Sequence, residues 1–542
     1  MTAAPPLPTH RAAALARLAE PQMWDLAVIG GGATGLGLAL DAAQRGHRVV
    51  LVEAHDFAQG TSSRATKLVH GGVRYLAQGN LKLVREALRE RQHILHSAPH
   101  LAQPLPFVMP SHKRWETPFY GVGLKLYDAL AGSAGLGATQ WLSPRQTQRL
   151  LPGARAEGLK GGVKYWDGQF DDARLALAIA RTAAAHGALL LNHMPAVDLL
   201  HHAGKASGLR LRDAETGQEH RLQARCIVNA TGVWVDALRQ RDARAAGQHV
   251  PTLVAPSQGA HIVVDAAFSP GGHALLVPST ADGRVLFAVP WLGKLILGTT
   301  DTPRRDRPLQ PRPFAHEVEF ILHEAARYLH RAPQRTDIQS AWAGLRPLVQ
   351  AGADASDTKA ISREHTILIG PSGLVTVTGG KWTTYRAMAQ DVLARCEHAG
   401  LLPARGPCQT AGLRLVGAPA ADARNLVSLA EAPGLHLYGT EADAVQALPG
   451  ADRWLAPGLT EAMVRFAARH EYARDVQDVL ARRARLLFLD AAEAARAAPA
   501  VAEVLAAELA AQPGPSPAPG VRLQAFQTLA RAWAQPETHT GS

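Results

Sequence analysis

Gly30, Gly32 and Gly35 stand at the spacing G-x-G-x-x-G, a pattern suited to holding a pyrophosphate. The first glycine permits a tight turn, the second lets backbone approach the phosphates, and the third lets a helix pack closely on a strand. Gly31 and Thr34 fall in the same turn, and Glu53 ends a second apolar run, where a carboxylate can accept hydrogen bonds from a ribose. Three further stretches have site-like composition. Lys67-Leu68-Val69-His70-Gly71-Gly72-Val73-Arg74-Tyr75 sets two glycines beside a histidine, an arginine and a tyrosine. Asn229-Ala230-Thr231-Gly232 offers small residues that admit close backbone approach. Gly379-Gly380-Lys381-Trp382-Thr383-Thr384-Tyr385-Arg386 joins glycines to a helix start, which aims N–H groups at an anion. Arg346 and Arg363 add permanently charged donors near predicted strand ends.

These residues need elements to hold them. Leu26 to Ile29 and Val49 to Val52 read as strands flanking a helix that ends at Gly46, a βαβ unit. An amphipathic helix is predicted from Asn80 onward, and Asp171 or Asp172 caps another. From His261 the texture changes to short β runs, His261 to Val264, Ala274 to Val277, Arg284 to Trp291 and Lys294 to Thr300, read as an antiparallel layer over the substrate with a helix from about His316 to Leu329 nearby. A strand from Gly373 closes the nucleotide domain, which is therefore discontinuous. Beyond about Gly400 the chain is Ala- and Leu-rich, with a pair of amphipathic helices predicted between Met463 and Leu486 and an arginine cluster at 482 to 485 read as a solvated or domain-contacting face. The expected division is a flexible extension at 1–22, a cofactor-and-substrate region at 23–400 with its cap at roughly 85–165 and 250–340, a helical domain at 405–512, and a Pro-rich disordered tail at 513–542.

A chain of 542 residues exceeds what one core usually serves, so two or three packed units are expected. Lys and Arg number 57 against 46 Asp and Glu, for a formal charge of +11, which suits an anionic substrate, an anionic membrane face or nucleic acid. Cys226, Cys396 and Cys408 lack metal-ligand spacing and are odd in number, which argues for a reducing compartment and against a zinc site or a disulfide framework. No window approaches the length of apolar chain needed to span a bilayer. The first 22 residues carry an Ala-rich segment from Arg11 to Glu20 that reads as helical, lack the apolar core of a secretory signal, and read as a mobile extension rather than a transit peptide. The segment from Phe107 to Leu130 mixes Trp115, Phe119, Tyr120 and Tyr127 with Lys113, Arg114 and Lys125, a composition that suits either core packing or a lipid interface.

The stretches IGGGATGLGLALDAAQRG, TSSRATKLVHGGVRYL, the DDAR helix start, VNATGVWVD, GTTDT, WAGLRP and TGGKWTTYR occur together and in order, and the chain resembles the FAD-dependent glycerol-3-phosphate dehydrogenases from Trp24 to about residue 500. The resemblance implies a Rossmann-like FAD domain in α/β class, an antiparallel-sheet substrate domain and a C-terminal helical domain. It implies oxidation of glycerol 3-phosphate to dihydroxyacetone phosphate by hydride transfer to flavin N5, with electrons passed to a quinone. It also implies a cytoplasmic protein held peripherally at the inner face of the cell membrane, with homodimerisation left open. Arg74, Arg346 and Arg363 would bind the substrate phosphate and neighbouring oxygens, with Tyr75 and Lys381 beside them. Gly30, Gly31, Gly32, Thr34, Gly35, Glu53, Thr61, Ser62, Ser63, Lys67, Ala230, Gly232, Gly380, Lys381, Trp382 and Thr383 would contact FAD.

The reaction needs a base for the C2 hydroxyl proton, and a histidine titrates near working pH. His70 and His261 both qualify, and the sequence does not choose between them. Four other readings compete, one of them a non-catalytic FAD-binding scaffold, which would show bound flavin without bleaching by substrate. A related oxidase would pass electrons to oxygen, though no long insertion stands near Gly298 to Asp301; an amino-acid or 2-hydroxy-acid flavoprotein would need carboxylate recognition; and an RNA-binding flavoprotein would need a concentrated basic stripe, whereas the basic residues here are dispersed.

Overall fold

The computed structural model describes residues 9–72, 80–280, 283–349, 365–423, 426–512 and 519–535. Its first sheet has eight strands. The leading strand Met23–Ile29 lies between Val49–Val52 and Glu219–Asn229, all parallel, with Leu189–Leu191 beyond the first and Val375–Gly379 beyond the second. Ile29 is level with Val52 on one side and Asn229 on the other. Three carboxyl-terminal strand ends therefore open at one height, the edge where ligands of parallel α/β sheets bind. Apolar runs cover both faces of these strands, which is why they read as continuous Val, Ile and Leu rather than alternation. The neighbours come from residues 23–52, 189–229 and 365–379, so the domain is discontinuous.

The second sheet has ten strands and is antiparallel except where Ala274–Val277 runs alongside Ala102–Ser111. At one end of this sheet the pair Val254–Asp265 and Ser340–Val349 stays in register over ten positions and sets Ser257 opposite Arg346 and His261 opposite Trp342. Gly298, on Lys294–Gly298, flanks His261 from the other side. Helix Ala315–Tyr328 packs its Val318, Ile321 and Ala325 face beneath this sheet. Helix Leu81–Ser97 begins at Asn80, whose side chain accepts from Leu83 N–H, and helix Asp172–Ala185 begins at Asp171, which accepts from Arg174 N–H.

Three segments differ from the sequence expectation. The extension is not mobile throughout: its Ala-rich segment forms the expected helix, Arg11–Ala19, but is tied down because buried Arg11 donates to the Asn192 carbonyl at 2.8 Å and to Asp213 at 2.6 Å. The tail is not disordered over its whole length either. Pro519–Ala534 is helical, with Phe526, Ala530 and Trp533 buried at helical spacing against the core, an apolar stripe that the proline content obscured. Between Glu461–His470 and Ala491–Ala510, the expected second amphipathic helix is instead a buried π-helical turn, Asp478–Arg483, followed by the short helix Leu486–Leu489. The arginines of 482–485 turn inward to acids of the first domain, taking the domain-contacting alternative.

Candidate active site

The glycine turn is built as its spacing requires. Gly30 has φ +112°, and a Cβ there would lie 2.6 Å from the Ala230 carbonyl oxygen. A Cβ on Gly35 would lie 1.9 Å from the Gly30 carbonyl oxygen, so helix Ala33–Gln44 reaches the strand only without a side chain at that position. Glu53 accepts hydrogen bonds from Gly31 N–H at 2.6 Å and His55 N–H at 2.9 Å; burial pushes its carboxyl up from the ordinary value, and these two bonds oppose the shift.

Segments distant in sequence meet at this helix start. Ser62 Oγ accepts from Ala33 N–H at 2.9 Å, and the Ser62 carbonyl accepts from Trp382 Nε1 at 2.9 Å. Thr61 Oγ1 donates to the Leu345 carbonyl at 2.6 Å, and Thr378 Oγ1 donates to the Gly232 carbonyl at 3.1 Å. Ser63 is buried, and Thr34 lies in the first helical turn. Gly379 and Gly380 have φ +80° and +71°, which turns the chain from strand Val375–Gly379 through half-buried Lys381 and Trp382–Thr384 into helix Tyr385–His398. Thr383 is buried in that turn. Gly232, at φ +60°, has open space where a Cβ would stand. This lining of a helix N-terminus, open glycine backbone and an acid at the next strand end fits the diphosphate and ribose of FAD.

The second sheet presents Arg346. Its guanidinium donates to Asp301 at 3.1 Å, to Thr299 Oγ1 at 3.1 Å and to the Thr300 carbonyl at 3.1 Å. Gly259 leaves it room, since a Cβ there would fall 2.5 Å from Arg346 Nη2. Asp301, Thr299 and Gly259 thus surround the Arg346 guanidinium; the sequence assigns them no role, because the motif GTTDT marks Thr299 to Thr302 without indicating a guanidinium partner.

The two histidines part company. His261 is 2% exposed, stacks on Trp342 with ring centroids 4.2 Å apart, and has its Nε2 2.9 Å from Thr66 Oγ1. Burial holds it well below the ordinary histidine value, with Lys67 and Arg346 adding to the effect, so it is neutral. His70 is half-buried and directly follows strand Leu68–Val69. The glycines after it serve packing and turning: a Cβ on Gly71 would lie 2.3 Å from the Tyr127 hydroxyl, and Gly72 has φ +79°. Arg74, Tyr75 and Arg363 lie outside the described residues.

Lys67 departs from its expected place at the cofactor. It is 0% exposed, donates to Asp172 and to the Ser63 carbonyl, both at 2.8 Å, and has its Nζ 4.8 to 5.2 Å from the ring centroids of Trp342, Phe488 and Trp291. Burial pushes its amine down to about 7 against the pull of Asp172. Lys67 therefore supports the Thr61 to Ser63 turn from below. Arg485 shares the work, donating to Asp172 at 2.8 Å and to the Ser63 carbonyl at 3.0 Å. Asp56, His193 and Asp478 also come together, with ligand atoms within 4.8 Å of one another, but Arg482 and Arg483 already supply positive charge to these acids.

Comparison with known proteins agrees with this geometry. The family described as "FAD dependent oxidoreductase" matches residues 25–391, and that described as "C-terminal domain of alpha-glycerophosphate oxidase" matches residues 408–513. The chain is 42% identical over 536 residues to "Glycerol-3-phosphate dehydrogenase, mitochondrial" of Homo sapiens, covering 93% of this chain and 73% of that protein. A mitochondrial glycerol-3-phosphate dehydrogenase of Arabidopsis thaliana is 40% identical, covering 94% and 86%. Among solved structures, the glycerol-3-phosphate dehydrogenase from Bacillus halodurans complexed with FAD superposes with a TM-score of 0.76 at 30% identity, covering 98% of this chain and 99% of that one.

Proposed function

Because this chain belongs to the FAD-dependent glycerol-3-phosphate dehydrogenases, we propose that it oxidises sn-glycerol 3-phosphate to dihydroxyacetone phosphate and delivers the electrons to a membrane quinone. The observation that carries the reading is the meeting of the glycine turn, Ser62 and Trp382 at one helix start. Bound FAD supplies the acceptor for the two electrons taken from C2. Gly30 to Gly35, Glu53, Thr61 to Ser63, Ala230, Gly232 and Gly380 to Thr383 hold and orient it. Arg346 binds the substrate's anionic end through a planar fork, with Arg74, Arg363 and Tyr75 assigned to the same task by their motifs.

For the C2 hydroxyl proton we assign His70 as the base. His261 serves by position: buried and neutral, it holds Thr66 and packs Trp342 over Lys67. Lys381, at the turn into helix Tyr385–His398, places a cation where negative charge develops.

The quinone reading draws support from the face of helix Glu116–Ala131. Trp115, Phe119 and Val122 are 54%, 64% and 67% exposed, and Leu126 and Trp141 are exposed alongside. Lys113 and Lys125 lie 5.9 Å and 5.5 Å from the ring centroids of Trp115 and Trp141. Apolar rings with cations beside them suit peripheral insertion among anionic headgroups at the inner face of the cell membrane. No helix among the described residues is long and apolar enough to cross a membrane.

The test is anaerobic addition of glycerol 3-phosphate to the purified flavoprotein, followed by a quinone analogue or oxygen in separate samples. Bleaching of the visible flavin band that the quinone reverses much faster than oxygen is the expected result. Fast reversal by oxygen would mean an oxidase, and no bleaching would overturn the substrate assignment.

A further inference from the structure

The buried contact between the C-terminal domain and the loop after Glu53 has no part in the reaction described above. Asp56 is fully buried, and its carboxylate accepts from Arg483 Nη2 and Asn192 Nδ2, both at 3.0 Å, and from Arg482 Nε and Arg483 Nη1. Arg482 in turn donates to Asp478 at 2.7 Å. The next residue, Phe57, meets Tyr472 of the C-terminal domain edge to face, with centroids 5.2 Å apart. On its other side Phe57 closes on the glycine turn, since a Cβ on Gly31 would lie 2.6 Å from Phe57 Cδ1. Ala58, held at φ +61°, donates its N–H to the Gly31 carbonyl at 2.9 Å, and Glu53 accepts from Gly31 N–H. The loop 53–58 is thus held at both ends by Gly31, through Glu53 and Ala58, and between them, at Asp56, by two guanidinium groups from another domain.

We propose that Arg482 and Arg483 are positioning residues for cofactor retention: by clamping Asp56 they hold Glu53 and Phe57 against Gly31, so that the C-terminal domain controls how slowly FAD leaves. A buried carboxylate deprived of one cationic partner is left uncompensated and draws water or moves. The loop that moves is the one carrying the ribose-facing acid. The clamp rests on the reading of the glycine turn as an FAD site. Wild-type protein purified without flavin would defeat that reading, whereas wild-type protein that holds flavin allows the clamp to be judged by itself.

The experiment follows free-flavin fluorescence after dilution of holoenzyme, well below its unfolding transition, for Arg483→Met, Asp56→Asn and Arg483→Lys. The control is Arg181→Met, which breaks another buried bridge between the same two domains, Arg181 to Glu441 at 2.6 Å and 2.7 Å, away from the loop. Thermal unfolding of each protein shows how far it is destabilised. The expected result is FAD release about tenfold or more faster in Arg483→Met and Asp56→Asn, equivalent to about 1.4 kcal/mol. Arg483→Lys, which keeps the charge but loses the fork, falls between, and Arg181→Met releases FAD at the wild-type rate. If Arg483→Met does not fold, Arg483→Lys carries the test. Wild-type release from the loop variants, or equally fast release from Arg181→Met, overturns the proposal.

Discussion

Replacing Gly35 with alanine tests the site at its most crowded point. The new methyl would begin 1.9 Å from the Gly30 carbonyl oxygen, where ordinary contact starts near 3.4 Å, so helix Ala33–Gln44 must retreat by about 1.5 Å. Hydrogen bonds from its first N–H groups to a phosphate oxygen tolerate roughly 2.7–3.2 Å, and a retreat of that size breaks them. Two such bonds to a charged group are worth about 1.5–3 kcal/mol each, so FAD should bind roughly a hundredfold to ten-thousandfold more weakly. Gly46→Ala, beyond the other end of the same helix, is the matched control. Gly46 has φ +82° and no neighbour closer to a new Cβ than Arg405 Nη1 at 3.9 Å, so alanine there brings only the left-handed backbone cost of about 1–2 kcal/mol and leaves FAD in place. Flavin content after gel filtration and titration of apoprotein with FAD read both variants. Gly35→Ala that binds FAD as tightly as wild type, in a folded protein, would refute the role given to this contact.

His70→Asn should lower kcat by about a hundredfold to ten-thousandfold, the usual contribution of a positioned base, with flavin retained; a near-normal kcat would move the base elsewhere. Arg346→Lys loses the fork that reaches Thr299, Thr300 and Asp301 and should raise KM for glycerol 3-phosphate about tenfold to a hundredfold, whereas an unchanged KM would remove Arg346 from the substrate. His193 lies 2.9 Å from Asp478, and although burial opposes protonation, that acid holds its imidazole above the ordinary value. Its contribution to stability is therefore full below the unfolded histidine value and lost as pH rises through the folded one. The stability gap between wild type and His193→Asn, a residue that tolerates the φ of +50° there, should narrow in denaturation curves taken from pH 6 upward, and a gap that widens would reverse the argument. Trp115→Ser combined with Phe119→Ser should partition less onto anionic liposomes than wild type; equal partitioning would count against this face.

What could be read from the chain was whatever local chemistry determines. Asp171 as a cap, the strand before Gly379 and the turn at Gly30 all follow from neighbours within a few residues, and their positions in the fold match. Lys67 could not be placed that way. Its partners Asp172, Trp291, Trp342 and Phe488 come from four distant segments, and a lysine in a polar loop gives no hint of a cage of rings. The arginines at 482, 483 and 485 were ambiguous for the same reason: charge in a helix-like stretch says nothing about acids 300 or more residues earlier. Pro513 to Pro519 suggested disorder by composition, while the burial of Phe526, Ala530 and Trp533 depends on the surface the rest of the chain offers. The two histidines were distinguishable only once the register set His261 between Trp342 and Gly298.

The discontinuity of the first sheet has a consequence for how the protein is made. The glycine turn leaves the ribosome early, but the strand ending at Gly379 and the turn at Gly380 to Trp382 that complete the pocket arrive about 350 residues later, roughly 20 to 70 s at ordinary rates of synthesis. For more than half of that interval the apolar edge of Met23–Ile29 waits for Glu219–Asn229, and Val375–Gly379 joins that strand only at its end. The groups assigned to the flavin are therefore complete only after about residue 384, so flavin loading is a late event in the synthesis of each chain.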